Sequence, residues 1–200
     1  ANPVAAFATT IRMKFATYRD GSRDGQLVVV ARDLSSAHYA SGVADRLQQA
    51  LDDWNFIAPP LQDLYDSLNA GRARHAFPFD ARQCMAPLPR AFQWVQADAY
   101  DGGLLPPEAS PRDPGLHHGP GDGLAGACDP VPCLAEQTDV DFGAGLAVVT
   151  GDIAQGATAG QALEGVRLLM LVNAVQLRAA GLAPVQRWPQ LACSPVAVTP

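Results

Sequence analysis

Between Asp101 and Pro132 the chain is punctuated by Gly102-Gly103, Pro106-Pro107, Pro111, Pro114, Gly119-Pro120, Gly121, Gly123, Pro130 and Pro132. Proline fixes φ and donates no backbone hydrogen bond, and glycine loses the most backbone entropy on ordering. No helical or strand period survives such punctuation. A structureless run this long is uncommon inside a compact domain, so residues 101–132 read as a linker or an insert. Regular structure is left to the residues on either side.

Before the break, Lys14 to Arg19 alternates polar and apolar residues, and Gln26 to Ala31 contains Leu-Val-Val-Val. The turn formers Asp20-Gly21-Ser22-Arg23-Asp24-Gly25 join them, which predicts a β-hairpin. Val43, Leu47, Leu51 and Trp54 recur at helical spacing, with Ser41 as N-cap and Pro59-Pro60 as the stop. A second helix carries Leu61, Leu64, Tyr65 and Leu68 and ends at Asn69-Ala70-Gly71, with glycine placed for a left-handed cap. After the break, residues 140–152 read as a buried strand ending in a turn. Thr158-Ala-Gly-Gln161 fits a capping box, and Val166–Val172, interrupted only by Arg167, reads as a strand buried on both faces.

The fold class is therefore mixed α/β (α+β). A small N-terminal α/β domain over residues 13–100 precedes the 101–132 segment and a partial β-rich roll over 133–200. Residues 1–12 read as an N-terminal extension, because Met13 looks like a natural start and no basic, then apolar, signal pattern precedes it. Apolar residues make up 48% and charged residues 17% of the 200, enough apolar content to fold around a core. A net charge of -6 argues against nucleic acid, which needs clustered lysine and arginine. No apolar run approaches the roughly 18 residues that span a bilayer, so no membrane partner is expected. Cys84, Cys128, Cys133 and Cys193 are too irregularly spaced for a disulfide framework, and the cytoplasm is the expected compartment.

One detail inside the 140–152 strand is costly. Gly143 and Gly145 stand at i and i+2, where side chains would share one face, and glycine weakens a strand interior. The surrounding words suggest what is missing. Met13-Lys-Phe-Ala-Thr-Tyr-Arg-Asp-Gly-Ser-Arg-Asp-Gly-Gln-Leu-Val-Val-Val, Gln49-Ala-Leu-Asp-Asp-Trp-Asn-Phe and Phe77-Pro-Phe-Asp with Cys84-Met-Ala-Pro-Leu-Pro-Arg-Ala-Phe-Gln-Trp94 resemble the N-terminal domain of the fumarylacetoacetate hydrolase family. Val148-Val-Thr-Gly-Asp152, Gln161-Ala-Leu-Glu-Gly165, Leu168-Leu-Met-Leu-Val-Asn173 and Ser194-Pro-Val-Ala-Val-Thr-Pro200 resemble the first half of its catalytic domain. By the same resemblance the chain stops before that domain would be complete.

The resemblance implies cleavage of a carbon–carbon bond in β-diketo acids such as fumarylacetoacetate or acylpyruvates. A Mg²⁺ or Ca²⁺ chelates the diketo oxygens, a histidine–carboxylate pair activates water, and a lysine stabilises developing charge. A hard divalent cation needs oxygen ligands, carboxylates above all. The family's Glu-X-Glu motif falls on Gly143 and Gly145, and its next aspartate falls on Ala174. Its lysine matches Trp188, and its histidine segment, just after Tyr100, is deleted. No catalytic residue and no metal ligand is assigned on this reading, and no cofactor is expected unless the family activity, with its Mg²⁺ or Ca²⁺, survives.

Substitutes are few. Asp139 and Asp141 form an i, i+2 carboxylate pair that could hold a cation weakly, although a structural role is favoured. Arg178 could still meet a small carboxylate ligand. His117-His118 with Asp122 and Cys128/Cys133 has loose zinc spacing in a breaker-rich segment, His38 and His75 are ordinary lone histidines, Cys84 is a packed thiol, and Ser194 lies outside any Gly-X-Ser-X-Gly word. The expected function is a non-catalytic binding or structural homologue; the alternative is a hydrolase with a rebuilt site. Exposed apolar strands such as Leu168–Val172 call for a homo-oligomer or an intact family subunit as partner.

Overall fold

A computed structural model describes residues 13–97, 116–131, 139–178 and 190–200. The fold is mixed α/β, mostly sheet with few helices. It divides into two compact units, one built from residues up to Pro89 and from Leu124 onward, the other from Arg90–Gly123.

In the larger unit, β1 (Lys14–Tyr18) and β2 (Gln26–Val30) form the expected antiparallel hairpin, Phe15 opposite Val29 and Tyr18 opposite Gln26. Its turn suits its residues: Gly21 and Gly25 have positive φ, and the Asp20 carboxylate accepts from the Ser22 backbone N–H. β3 (Ser36–Tyr39) and β4 (Phe77–Pro78) extend the sheet beyond β2. Leu27, Val28, Val29, Val30, Phe15 and Ala16 are completely buried.

The helices begin and break where the sequence reading did not place them. Ser41 caps nothing; Gly42 takes a positive φ, and the Asp45 carbonyl accepts from Leu27 N–H, which holds residues 41–45 as a turn beside β2. α1 (Leu47–Asp52) starts after Arg46, and the interruption falls at Asp53. α2 (Trp54–Asn69) runs straight through Pro59 and Pro60, which therefore do not end it. Each proline deletes one helical hydrogen bond. Leu61, Tyr65 and Leu68, all buried on one face of the following turns, hold the segment helical at that cost. Its end follows expectation: Gly71 is left-handed, its N–H bonds the Leu68 carbonyl, and Arg72 N–H bonds the Ser67 carbonyl.

Part of the breaker-rich segment is strand, although no strand period was legible in it. In the smaller unit β5 (Trp94–Ala97) pairs with β6 (Leu116–Gly119), Trp94 opposite Gly119. The Trp94 ring lies where a Cβ of residue 119 would sit, so the glycine is required. In the larger unit β7 (Ala125–Gly126) lies against a later strand described below. Residues 101–115 and 132 fall outside the described set.

The second half builds around one long strand. β8 (Val140–Asp141), β9 (Ala144–Thr150), α3 (Ala159–Glu164) and β10 (Val166–Leu177) are followed by β11 (Gln190–Cys193) and β12 (Ala197–Val198). The capping box at Thr158 and Gln161 opens α3 as expected. β10 bonds β9 and β8 as well as β12 and β11, and β11 takes β7 in parallel. β12 also pairs with β1, Ala197 opposite Phe15, so ten strands form one sheet from both ends of the chain. The Thr199 hydroxyl and N–H fasten this junction to Met13 N and O.

Two burial expectations fail here. β9 is mostly exposed, with Leu146 at 66% and Val148 at 51%, and β10 is not buried on both faces, since Leu171 is 67% exposed. An apolar alternation identifies two faces without saying which neighbour covers either one.

Candidate functional site

The positions that the resemblance matches to the family's carboxylates, Gly143, Gly145 and Ala174, lie near one another where β8, β9 and β10 meet. Gly143 is in the short connection between β8 and β9, not in the strand with Gly145 as expected. Its N–H donates to Asn173 Oδ1 at 2.9 Å, and its carbonyl accepts from Ala174 N–H at 2.8 Å. Gly145 stands opposite Val172, and Ala144 opposite Asn173. Ala174 is buried.

The backbone is tightly packed at Gly143. A Cβ added at Gly143 would sit 2.3 Å from the Ala174 carbonyl oxygen and 3.2 Å from its carbon, so even a methyl group needs the backbone to move. At Gly145 the nearest atom to such a Cβ is Val172 Cγ2 at 3.0 Å. A hard divalent cation needs several oxygen ligands at about 2.0–2.6 Å. Glycine, glycine and alanine provide no side-chain oxygen, and one carbonyl that could have served, Gly143 O, is bonded to Ala174 N–H. These residues do not fit a resident Mg²⁺ or Ca²⁺.

Of the two neighbouring acids, Asp141 has its carboxylate engaged. Asp141, opposite Gln176, accepts from Phe142 N–H at 2.9 Å through Oδ1 and pairs through Oδ2 with the Arg178 guanidinium. Arg178 N–H in turn donates to the Asp139 carbonyl at 2.7 Å. Arg178 thus meets the carboxylate of its own chain, and its side chain remains 66% exposed. Among the described residues no three histidine, cysteine, aspartate or glutamate side chains converge as a metal cluster. Trp188, Cys133 and the stretch after Tyr100 lie outside those residues.

Other candidates are structural. Both ring nitrogens of His38 lie 2.7 Å from backbone carbonyls, those of Tyr39 and Arg74, and His75 occupies a positive-φ turn. Ser194 Oγ donates to the Val196 carbonyl and accepts from Leu171 N–H, which commits it to strand pairing. Burial pushes the thiols of Cys84 and Cys193 up to about 12, so neither supplies a thiolate nucleophile near neutrality. Asn173 is the residue sequence reasoning passed over. Its amide pins Gly143, and its visible signals were a polar side chain just after an apolar run and its place at the end of the family-like Leu168–Asn173 word.

Comparison with known proteins relates part of the sequence and the fold to solved structures. The sequence profile of fumarylacetoacetase N-terminal domain 2 matches residues 13–90, which span the β1–β2 hairpin, β3, α1, α2 and β4. Maleylpyruvate hydrolase from Sphingobium sp. SYK-6 superposes with a TM-score of 0.67 at 18% identity, covering 94% of this chain and 67% of that one. The fold is that of the fumarylacetoacetate hydrolase family. A fumarylacetoacetate hydrolase from psychrophilic Exiguobacterium antarcticum shares the fold at a TM-score of 0.63 and 18% identity, over 94% of this chain and 66% of its own. The Sphingobium hydrolase is also known in complex with manganese(II) and pyruvate, at 17% identity to this chain. A search of curated proteins returns no match. The chain thus spans about two thirds of the length of these fumarylacetoacetate hydrolase-fold neighbours. No helix among the described residues is long and apolar enough to cross a membrane.

Proposed function

We propose that this chain is a non-catalytic homologue of the fumarylacetoacetate hydrolase family, a binding or structural subunit without metal-dependent carbon–carbon hydrolysis. The observation that carries the reading is the contact at Gly143. The first family ligand position lacks a carboxylate, and the Ala174 carbonyl occupies the space through which a side chain would leave the backbone. Loss of charge alone could be repaired by one neighbouring acid; loss of charge with closure of the backbone requires the strand junction to be rebuilt. The Asp139–Asp141 pair does not repair it, since Arg178 neutralises Asp141. The Arg178 guanidinium can still hold a small carboxylate ligand through donors that Asp141 leaves unused. The exposed apolar side chains of β9 and β10 support a homo-oligomer or an intact family subunit as partner.

Calorimetric titration with Mg²⁺ and Mn²⁺, followed by assay on maleylpyruvate, other acylpyruvates and fumarylacetoacetate, tests the reading. No saturable metal binding and no turnover are expected. Micromolar metal binding accompanied by turnover would establish the active hydrolase instead.

A further inference from the structure

We draw no further inference here: the strongest candidate, the apolar patch of Leu146, Val148 and Leu171 at the edge of β9, is unpaired only among the described residues, and nothing in the structure shows what covers it.

Discussion

Gly143→Ala probes the closed strand junction with a single methyl group. Gly143 has no positive φ, so its backbone conformation is open to alanine and the whole cost lies in contact. The new Cβ would start 2.3 Å from Ala174 O, which must retreat by roughly an ångström to reach ordinary contact. That displacement strains a packed junction, at about 1–3 kcal/mol for overpacking. It also stretches the 2.8 Å bond from Ala174 N–H to Gly143 O, a loss of about 1 kcal/mol. Reduced freedom of the unfolded chain returns about 0.4–1 kcal/mol. The net expectation is destabilisation by about 1–3 kcal/mol, read as a lower urea midpoint at unchanged slope. Gly160→Ala is the internal control: its Cβ meets nothing closer than Thr158 Oγ1 at 4.0 Å, and in α3 it should gain about 0.5–1 kcal/mol. A Gly143→Ala variant within about 0.5 kcal/mol of wild type, the range of an ordinary surface change, would show that the junction is open and refute the closure.

Three further outcomes follow from packing and charge. Leu61→Ala, at a fully buried position after the two prolines, should cost about 2–5 kcal/mol by urea denaturation, and a smaller effect would mean that α2 is not anchored there. Hydrogen bonds from Ser22 and then from the Arg46 guanidinium lower the Asp20 carboxyl from 3.8 to about 2. Because the folded value is depressed, the stabilisation is complete above the unfolded value and lost as pH falls through about 2, so an acid titration of stability should flatten in Asp20→Asn. Thiol labelling mapped by mass spectrometry should modify exposed Cys128 well before Cys84 and Cys193, whose buried thiols stay protonated; equal rates would contradict their burial.

What was legible in the sequence was local chemistry. The Asp20–Gly25 turn, the glycine cap at Gly71 and the Thr158–Gln161 capping box each satisfy their hydrogen bonds within a few residues, so the sequence window that encodes them also contains their partners. Pro59-Pro60 misled because a helix break is decided by anchorage as well as by lost bonds, and the anchors are Leu61, Tyr65 and Leu68 packed against distant residues. The junction of β12 with β1 and the strand at Leu116–Gly119 were invisible for a related reason: each needs a partner far along the chain. At the site, resemblance brought out Gly143, Gly145 and Ala174 as one set, and the structure places them together. That the Ala174 carbonyl stands against Gly143, and that Asn173 holds the backbone there, are facts of three-dimensional approach that spacing does not encode. Arg178 was read as a possible ligand contact, and its nearest acid proved to be Asp141 two positions before Gly143.

Electron paramagnetic resonance of Mn²⁺ addresses the central claim most directly, because the sharp signal of the hydrated ion fades on binding whether or not substrate turns over. Titrated into this protein, Mn²⁺ should keep the full hydrated signal at stoichiometric concentrations, with no difference between wild type and Asp141→Asn. Signal loss saturating at one ion per chain, and abolished by Asp141→Asn, would place a working cation site beside Gly143 and contradict the account.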